Sequence, residues 1–178
     1  RFLTDGGILK DGVPNFMKAG IVYADRVTTV SPTYAREIMT DYYGEGLHDL
    51  LRQQSYKLSG LLNGIDQTLY DPAADKRIPA HFTVDDWREG KAACKAALQE
   101  ELGLRIKPDL PLAIMITRLV DQKGLDLVIH VLDEMLDGSM QLAILGTGTA
   151  QYEMILREAA KRHPGLMAAC ITFDTALS

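Results

Sequence analysis

Two basic side chains, Arg118 and Lys123, stand where they could bind a phosphate group. Arg118 directly follows an apolar run typical of a buried strand, and Lys123 precedes Gly124, which opens a stretch with helical spacing. In open α/β sheets, ligands bind beyond the carboxyl ends of strands, and helix N-termini favour anions. Two fixed cations beside such a terminus suit a diphosphate. On spacing alone, two ordinary surface charges near a turn are an equally good interpretation.

A glycine pair follows the next apolar run. Gly146 and Gly148, in the sequence G-T-G, could bring the backbone close to a nucleotide. The segment is not a GxGxxG motif, because Gln151 occupies the third glycine position and the motif follows the second strand instead of the first. Close packing of strand against helix is the simpler interpretation of these glycines.

The remaining candidates carry less information. Asn63-Gly64 is a turn signal in which both residues tolerate positive φ, and Asp66 could cap a following turn. The sequence has no GxSxG, HExxH or GxxxxGK[ST] motif and no candidate nucleophile beside a base. Four histidines stand without a partner at catalytic or metal spacing, namely His48, His81, His130 and His163. The residues alone therefore indicate an α/β nucleotide- or phosphate-binding protein and little more.

Alternating strands and helices must position these residues. Helices are predicted at residues 15–24, 33–40, 47–54, 84–102, 124–136 and 149–162, with Ser31 and Pro32 starting the second and Gly103 ending the fourth. Strands are predicted at residues 27–30, 57–62, 111–117, 140–145 and 167–173. A polar stretch at residues 71–79 marks a domain boundary. The alternation beyond it predicts a parallel sheet covered on both faces.

Composition excludes several classes of protein. The 178 residues are 47% hydrophobic, with a formal net charge of −5 and no dense cluster of Lys and Arg, so neither a nucleic acid nor an anionic membrane is an expected partner. The longest apolar run, residues 110–116, is far below the roughly 18 residues that a bilayer span needs. Cys94 and Cys170 stand far apart and indicate neither a disulfide framework nor a zinc site. We expect a cytoplasmic location.

Four segments resemble bacterial glycogen synthases and plant starch synthases. They are K-A-G-I-V-Y-A-D-R-V-T-T-V-S-P-T-Y-A-R-E-I (18–38), N-G-I-D (63–66), T-R-L-V-D-Q-K-G-L-D-L (117–127) and Q-L-A-I-L-G-T-G (141–148). The resemblance implies a retaining GT-B type glycosyltransferase, with two Rossmann-like domains of the α/β class, both incomplete here. Residues 1–66 would be the C-terminal part of the acceptor-side domain, residues 67–109 a linker and connecting helix, and residues 110–178 the first half of the nucleotide-sugar domain.

The same resemblance implies a reaction and its residues. Glucose would pass from ADP-glucose to the non-reducing end of an α-1,4-glucan, glycogen or starch, without a metal or other cofactor. The location would be the bacterial cytoplasm, or the plastid in a plant. The family's R-x-x-x-x-K-G motif places the diphosphate on Arg118 and Lys123, which would act as catalytic groups. Asn63 matches an asparagine near the transferred sugar, and Gly146 and Gly148 would pass close to the nucleotide.

The sequence also departs from this family. It lacks the K-x-G-G-L donor loop, the histidine and aspartate near the reacting sugar and the E-x-C-G-L segment, and Thr149 stands where an acidic residue often occurs. Our hypothesis is that these residues alone transfer no glucose, and glucose incorporation by the purified chain would disprove it. Two alternatives stay open. One is another retaining transferase that uses a UDP- or GDP-sugar, and the other is a nucleotide-binding fragment without a catalytic task.

Overall fold

The structure, a computed structural model, describes residues 3–175 and 177, and the chain divides into two compact units, residues 1–66 and 67–178. The first unit holds the following elements: β1 (Leu9–Lys10), β2 (Val13–Pro14), α1 (Phe16–Tyr23), β3 (Val27–Val30), α2 (Pro32–Glu37), α3 (His48–Gln53), a 3-10 turn (Ser55–Lys57) and β4 (Leu58–Leu61). β1 and β2 form an antiparallel hairpin, whereas β3 and β4 pair in parallel. The parallel pair is a two-stranded sheet of its own, and Val27 and Leu58 pack it against a small core of Ile21, Leu47 and Leu51.

Ser31 and Pro32 start α2 as the sequence predicts, although the helix ends at Glu37, three residues before its predicted end. The Ser31 hydroxyl accepts hydrogen bonds from the N–H groups of Thr33 (3.2 Å) and Tyr34 (3.5 Å), and Pro32 occupies the first helical position of α2. Lys57, which is only 5% exposed, was not foreseen as a structural residue. Its ammonium donates to the carbonyl of Ala24 at 2.8 Å, just past the end of α1.

The second unit is a three-stranded parallel sheet with helices. Its elements are α4 (Trp87–Glu101), β5 (Leu112–Ile116), a 3-10 turn (Asp121–Lys123), α5 (Leu125–Met135), β6 (Gln141–Leu145), α6 (Ala150–Arg162) and β7 (Met167–Cys170). The strand order is β5-β6-β7, and every residue of the central strand β6 is buried. The apolar run of β6 is therefore explained by burial on both faces.

The two faces of this sheet are not covered equally. The prediction that both faces are covered is therefore wrong for the edge strand β5. The core joins α5 and α6 to the sheet face that carries Met115 and Ile144. On the other face, Ile114 and Ile116 of β5 are 54% and 52% exposed. Two successive right-handed crossovers in one direction place both helices on the same face, so α5 and α6 cannot cover the opposite one.

Two local predictions are wrong. Residues 62–66 form no turn, and neither Asn63 nor Gly64 has a positive φ. β4 pairs in parallel with β3, so no hairpin turn is required after it. The last strand ends at Cys170, opposite Leu145 at the end of β6, and does not continue to Phe173. β7 stops where its partner stops, because an unpaired extension would leave its backbone groups without ladder hydrogen bonds.

Candidate functional site

The segments that follow β5 and β6 are joined by backbone hydrogen bonds beyond the strands themselves. The bonds run from Leu119 N–H to the Thr147 carbonyl (2.9 Å) and from Thr149 N–H to the Leu119 carbonyl (3.0 Å). Leu119 is fully buried, so this junction is anchored in the core. The two segments that carry the predicted phosphate-binding residues therefore form one continuous surface at the carboxyl edge of the sheet.

A pocket of about 260 Å³ opens at this edge. It is lined by residues that directly follow all three strands, together with strand-end residues: Ile116, Thr117, Arg118, Leu145, Gly146, Thr147, Thr172, Phe173, Asp174 and Thr175. The structure thus brings Arg118 and Gly146 together. Lys123 and Gly148 lie on the same two segments but outside this lining, and Asn63 is an exposed residue of the first unit.

Both predicted cations are available for a ligand. Arg118 and Lys123 are exposed, and within residues 3–175 and 177 neither side chain makes a hydrogen bond or ion pair. Lys123 ends the 3-10 turn, and Gly124 follows with φ 68°, a conformation that glycine adopts without strain. α5 then begins at Leu125. An unpaired guanidinium in a pocket and an unpaired ammonium beside a helix start suit an anionic ligand.

Close packing between the two loops accounts for both glycines, as the simpler interpretation of the sequence predicts. A Cβ on Gly146 would lie 1.8 Å from the Thr117 carbonyl oxygen, and a Cβ on Gly148 would lie 2.1 Å from that of Leu119. The Gly148 N–H donates to the Glu153 carboxylate at 3.0 Å and is not free for a ligand in this conformation. The Thr147 N–H, by contrast, has no acceptor in the described part of the chain. Of the loop's amides, that one could reach a ligand.

Phe173 is a site residue that sequence reasoning missed. Its side chain is 86% exposed although it lines the pocket beside Arg118. An aromatic ring left exposed at a pocket wall offers a stacking surface to a planar ligand group such as a nucleobase. Its position, three residues past the end of β7, is the signal that could have found it, because this is the same edge at which Arg118 lies.

A tyrosine on α6 contacts the segment that carries Lys123. The Tyr152 hydroxyl donates to the Asp121 carboxylate at 2.5 Å. This hydrogen bond, with burial and the negative charges of Asp121 and Asp126 as further causes, raises the pKa of Tyr152 to about 12. Tyr152 therefore stays protonated, and remains a donor, throughout the neutral pH range.

Among the described residues, no group of three or more His, Cys, Asp or Glu is arranged to hold a metal ion. No helix in the described part of the chain is long and apolar enough to cross a bilayer.

A unit of parallel strands joined by helices, with a pocket at the carboxyl ends of the strands, belongs to the Rossmann-like class of α/β proteins. Residues 1–53 match the family model described as the starch synthase catalytic domain. The chain is 54% identical over 164 residues to a glycogen synthase of Anaeromyxobacter sp. (strain Fw109-5), covering 92% of this chain and 34% of that protein. It is 48% identical over 174 residues to a glycogen synthase of Streptococcus equi subsp. equi (strain 4047), covering 98% and 36%.

A solved structure agrees with these relatives. The chain is similar to the catalytic domain of starch synthase IV from Arabidopsis thaliana, bound to ADP and acarbose, with a TM-score of 0.87 and 34% identity over 99% of this chain and 37% of that one. By sequence and fold, the chain corresponds to a segment of the glycogen and starch synthases, which are GT-B type glycosyltransferases. It spans about a third of the length of the curated relatives it matches.

Proposed function

We propose that this chain supplies the diphosphate-binding part of the donor site in a glycogen or starch synthase. The protein would transfer glucose from ADP-glucose to the non-reducing end of an α-1,4-glucan with retention of configuration. The single observation that carries the proposal is Arg118, an unpaired cation that lines a pocket at the carboxyl edge of a parallel sheet. The starch synthase IV structure, which is bound to ADP and acarbose, supports a nucleotide donor and a glucan acceptor.

The chemistry explains why two cations are needed. When the bond between glucose C1 and the β-phosphate oxygen breaks, the electron pair stays on that oxygen and ADP departs with additional negative charge. The acceptor hydroxyl oxygen forms the new bond to C1 on the same face, and its proton passes to the departing β-phosphate oxygen. Arg118 and Lys123 would stabilise the departing diphosphate, and since its charge is larger in the transition state than in the bound donor, they would raise kcat. We propose that no metal ion is required for this task.

The other pocket residues would orient the donor. Phe173 would stack on the nucleobase, and the Thr147 N–H would donate to the nucleotide. Asp174, also in the lining, carries negative charge, so the diphosphate would bind at the Arg118 end of the pocket. Gly146 and Gly148 would act by letting the two loops approach closely. Asn63 would contact the transferred sugar. The relatives are bacterial, and we propose that the protein is cytoplasmic.

The experiment is a donor comparison with a full-length synthase that carries this segment. Initial rates of glucose incorporation into glycogen would be measured with ADP-glucose, UDP-glucose and GDP-glucose. We expect the highest kcat/KM with ADP-glucose and a product whose new linkages an α-1,4-specific exo-amylase removes. A higher kcat/KM with UDP-glucose or GDP-glucose would overturn the donor assignment, and no transfer from any donor would overturn the enzymatic role.

A further inference from the structure

The first turn of α6 contacts both loops of the proposed donor site. The Tyr152 hydroxyl donates a hydrogen bond to the Asp121 carboxylate, on the segment after β5, whereas the carboxylate of its neighbour Glu153 accepts one from the Gly148 N–H, on the segment after β6. Tyr152 lies 31 positions from Asp121 along the chain, and Glu153 lies 5 positions from Gly148. One helical turn therefore attaches to the two segments that carry Lys123 and the glycine pair.

The anchor on α6 is rigid. Leu156 and Ala159 of this helix are fully buried, and the Tyr152 ring packs against the same core cluster. A tyrosine held by its ring has little freedom at its hydroxyl, because its position is set by only two side-chain torsions. The Tyr152 hydroxyl is thus a fixed point to which an exposed surface group can attach.

Asp121 is that surface group. It begins the 3-10 turn that ends at Lys123, and its carbonyl accepts the Gly124 N–H at 3.0 Å. Two attachments, one by side chain and one by backbone, therefore hold the short turn. The Asp121 carboxylate also lies two positions from the Lys123 ammonium, and without another partner it could pair with that ammonium and compete with an anionic ligand.

We propose that Tyr152 is a positioning residue for the donor diphosphate. By holding the Asp121 carboxylate, it keeps the 3-10 turn in place and leaves the Lys123 ammonium free for the phosphate. Tyr152 touches no ligand in this scheme and acts only through Asp121. The inference rests on the proposed role of Lys123 in diphosphate binding. The high pKa of the Tyr152 phenol is consistent with it, since the group remains a donor at neutral pH.

The test uses a full-length synthase carrying this segment, with ADP binding measured by calorimetry. Tyr152→Phe retains the packed ring and removes only the hydroxyl. We expect it to weaken ADP binding and raise KM for ADP-glucose about fivefold to tenfold, the range of one lost hydrogen bond, while KM for glycogen and the melting temperature stay unchanged. Tyr56→Phe is the matched control, because Tyr56 is 77% exposed, lies in the first unit and, among the described residues, makes a side-chain hydrogen bond only to Gln54.

A double-mutant cycle separates this role from a general structural one. If Tyr152 acts through Lys123, Tyr152→Phe will have little further effect on ADP binding in a Lys123→Ala background. An equal loss in both backgrounds, unchanged ADP binding in the single variant, or a parallel decline of melting temperature and glycogen KM would each overturn the inference. If Lys123→Ala itself leaves ADP binding unchanged, the proposed role of Lys123 fails and the inference fails with it. A normal loss with Lys123→Ala and none with Tyr152→Phe removes the positioning role alone.

Discussion

Arg118 and Lys123 share a charge but differ in what they can do. The Arg118 guanidinium lines a formed pocket and presents a planar fork of donors, which can bind two phosphate oxygens at once. Lys123 ends a short turn outside that lining and offers a compact charge on a flexible stem. In the proposed donor site, Arg118 would therefore orient the diphosphate and Lys123 would add charge stabilisation.

At the residue scale, Phe173 gives a prediction about the nucleobase. Because its ring is exposed at the pocket wall, Phe173→Ala should weaken ADP binding about 5- to 150-fold, the equivalent of ~1–3 kcal/mol for base stacking on an aromatic ring. Phe173→Tyr retains a ring and should bind ADP nearly normally. Calorimetric titration with ADP and with inorganic pyrophosphate provides the check. An equal loss for pyrophosphate, which has no base, would contradict the stacking role.

At the scale of elements, the two glycines after β6 decide how closely the loops pack. Gly146→Ala places a methyl group 1.8 Å from the Thr117 carbonyl oxygen, and backbone must move to accept it. We expect a loss of about 3 kcal/mol in the free energy of unfolding, at the upper end of ordinary substitutions. Urea unfolding would measure it. Gly20→Ala, in α1 with open space around its Cβ, is the control and should be neutral or slightly stabilising. A neutral Gly146→Ala would contradict the packing account.

An ion pair holds part of the segment that precedes α4. Asp75 pairs with Arg77 at 2.7 Å, and the hydrogen bonds from Arg77 lower the Asp75 pKa to about 2. The pKa of an aspartate in an unfolded chain is ~3.9. The folded pKa is the lower one, so the pair's contribution is present above about pH 4 and is lost as pH falls towards about 2.

This sign gives a pH-dependent prediction. Asp75→Asn should lower the melting temperature at pH 7, and the difference from the native protein should shrink as pH falls from about 4 to about 2. Asp109→Asn is the control, since Asp109 is exposed and makes no ion pair within the described residues. Scanning calorimetry at a series of pH values would measure both variants. A difference that stays constant down to pH 2 would show that the Asp75 charge does not contribute.

The strands show how much of the secondary structure can be predicted from the sequence. β3, β5 and β6 lie within one residue of their predicted ends, because β-branched or continuous apolar runs bounded by turn residues mark them. The buried hydrogen bond between Gln99 and Gln141, 2.6 Å long, could not be predicted. Its partners lie 42 positions apart, and nothing local distinguishes these glutamines from surface ones.

The candidate site likewise contains residues whose position could be predicted from the sequence and residues whose position could not. The position of Arg118 after an apolar strand was sufficient to predict its place at the carboxyl edge, which the pocket confirms. Phe173 was not predictable as a pocket residue, because its exposure depends on where β7 stops, and β7 stops opposite the end of β6. The contact between Tyr152 and Asp121 likewise depends on how α6 packs on the sheet.

At the scale of the whole molecule, this chain spans about a third of the length of its curated relatives, and the pocket lined by Arg118 lies wholly within its second unit. We therefore propose that this unit binds the diphosphate of the donor through Arg118. The formal net charge of −5 gives no general attraction for a nucleotide, so binding must come from local groups.

The most direct measurement is calorimetric titration of ADP into a full-length synthase carrying this segment, in the native form and as Arg118→Ala. Losing a hydrogen bond to a charged group costs ~1.5–3 kcal/mol, so the account predicts an ADP Kd at least about tenfold higher for the variant. Arg157→Ala, which removes an exposed arginine of α6 with no polar partner among the described residues, should leave Kd unchanged. An Arg118→Ala protein that is folded and binds ADP as tightly as the native one would contradict the account.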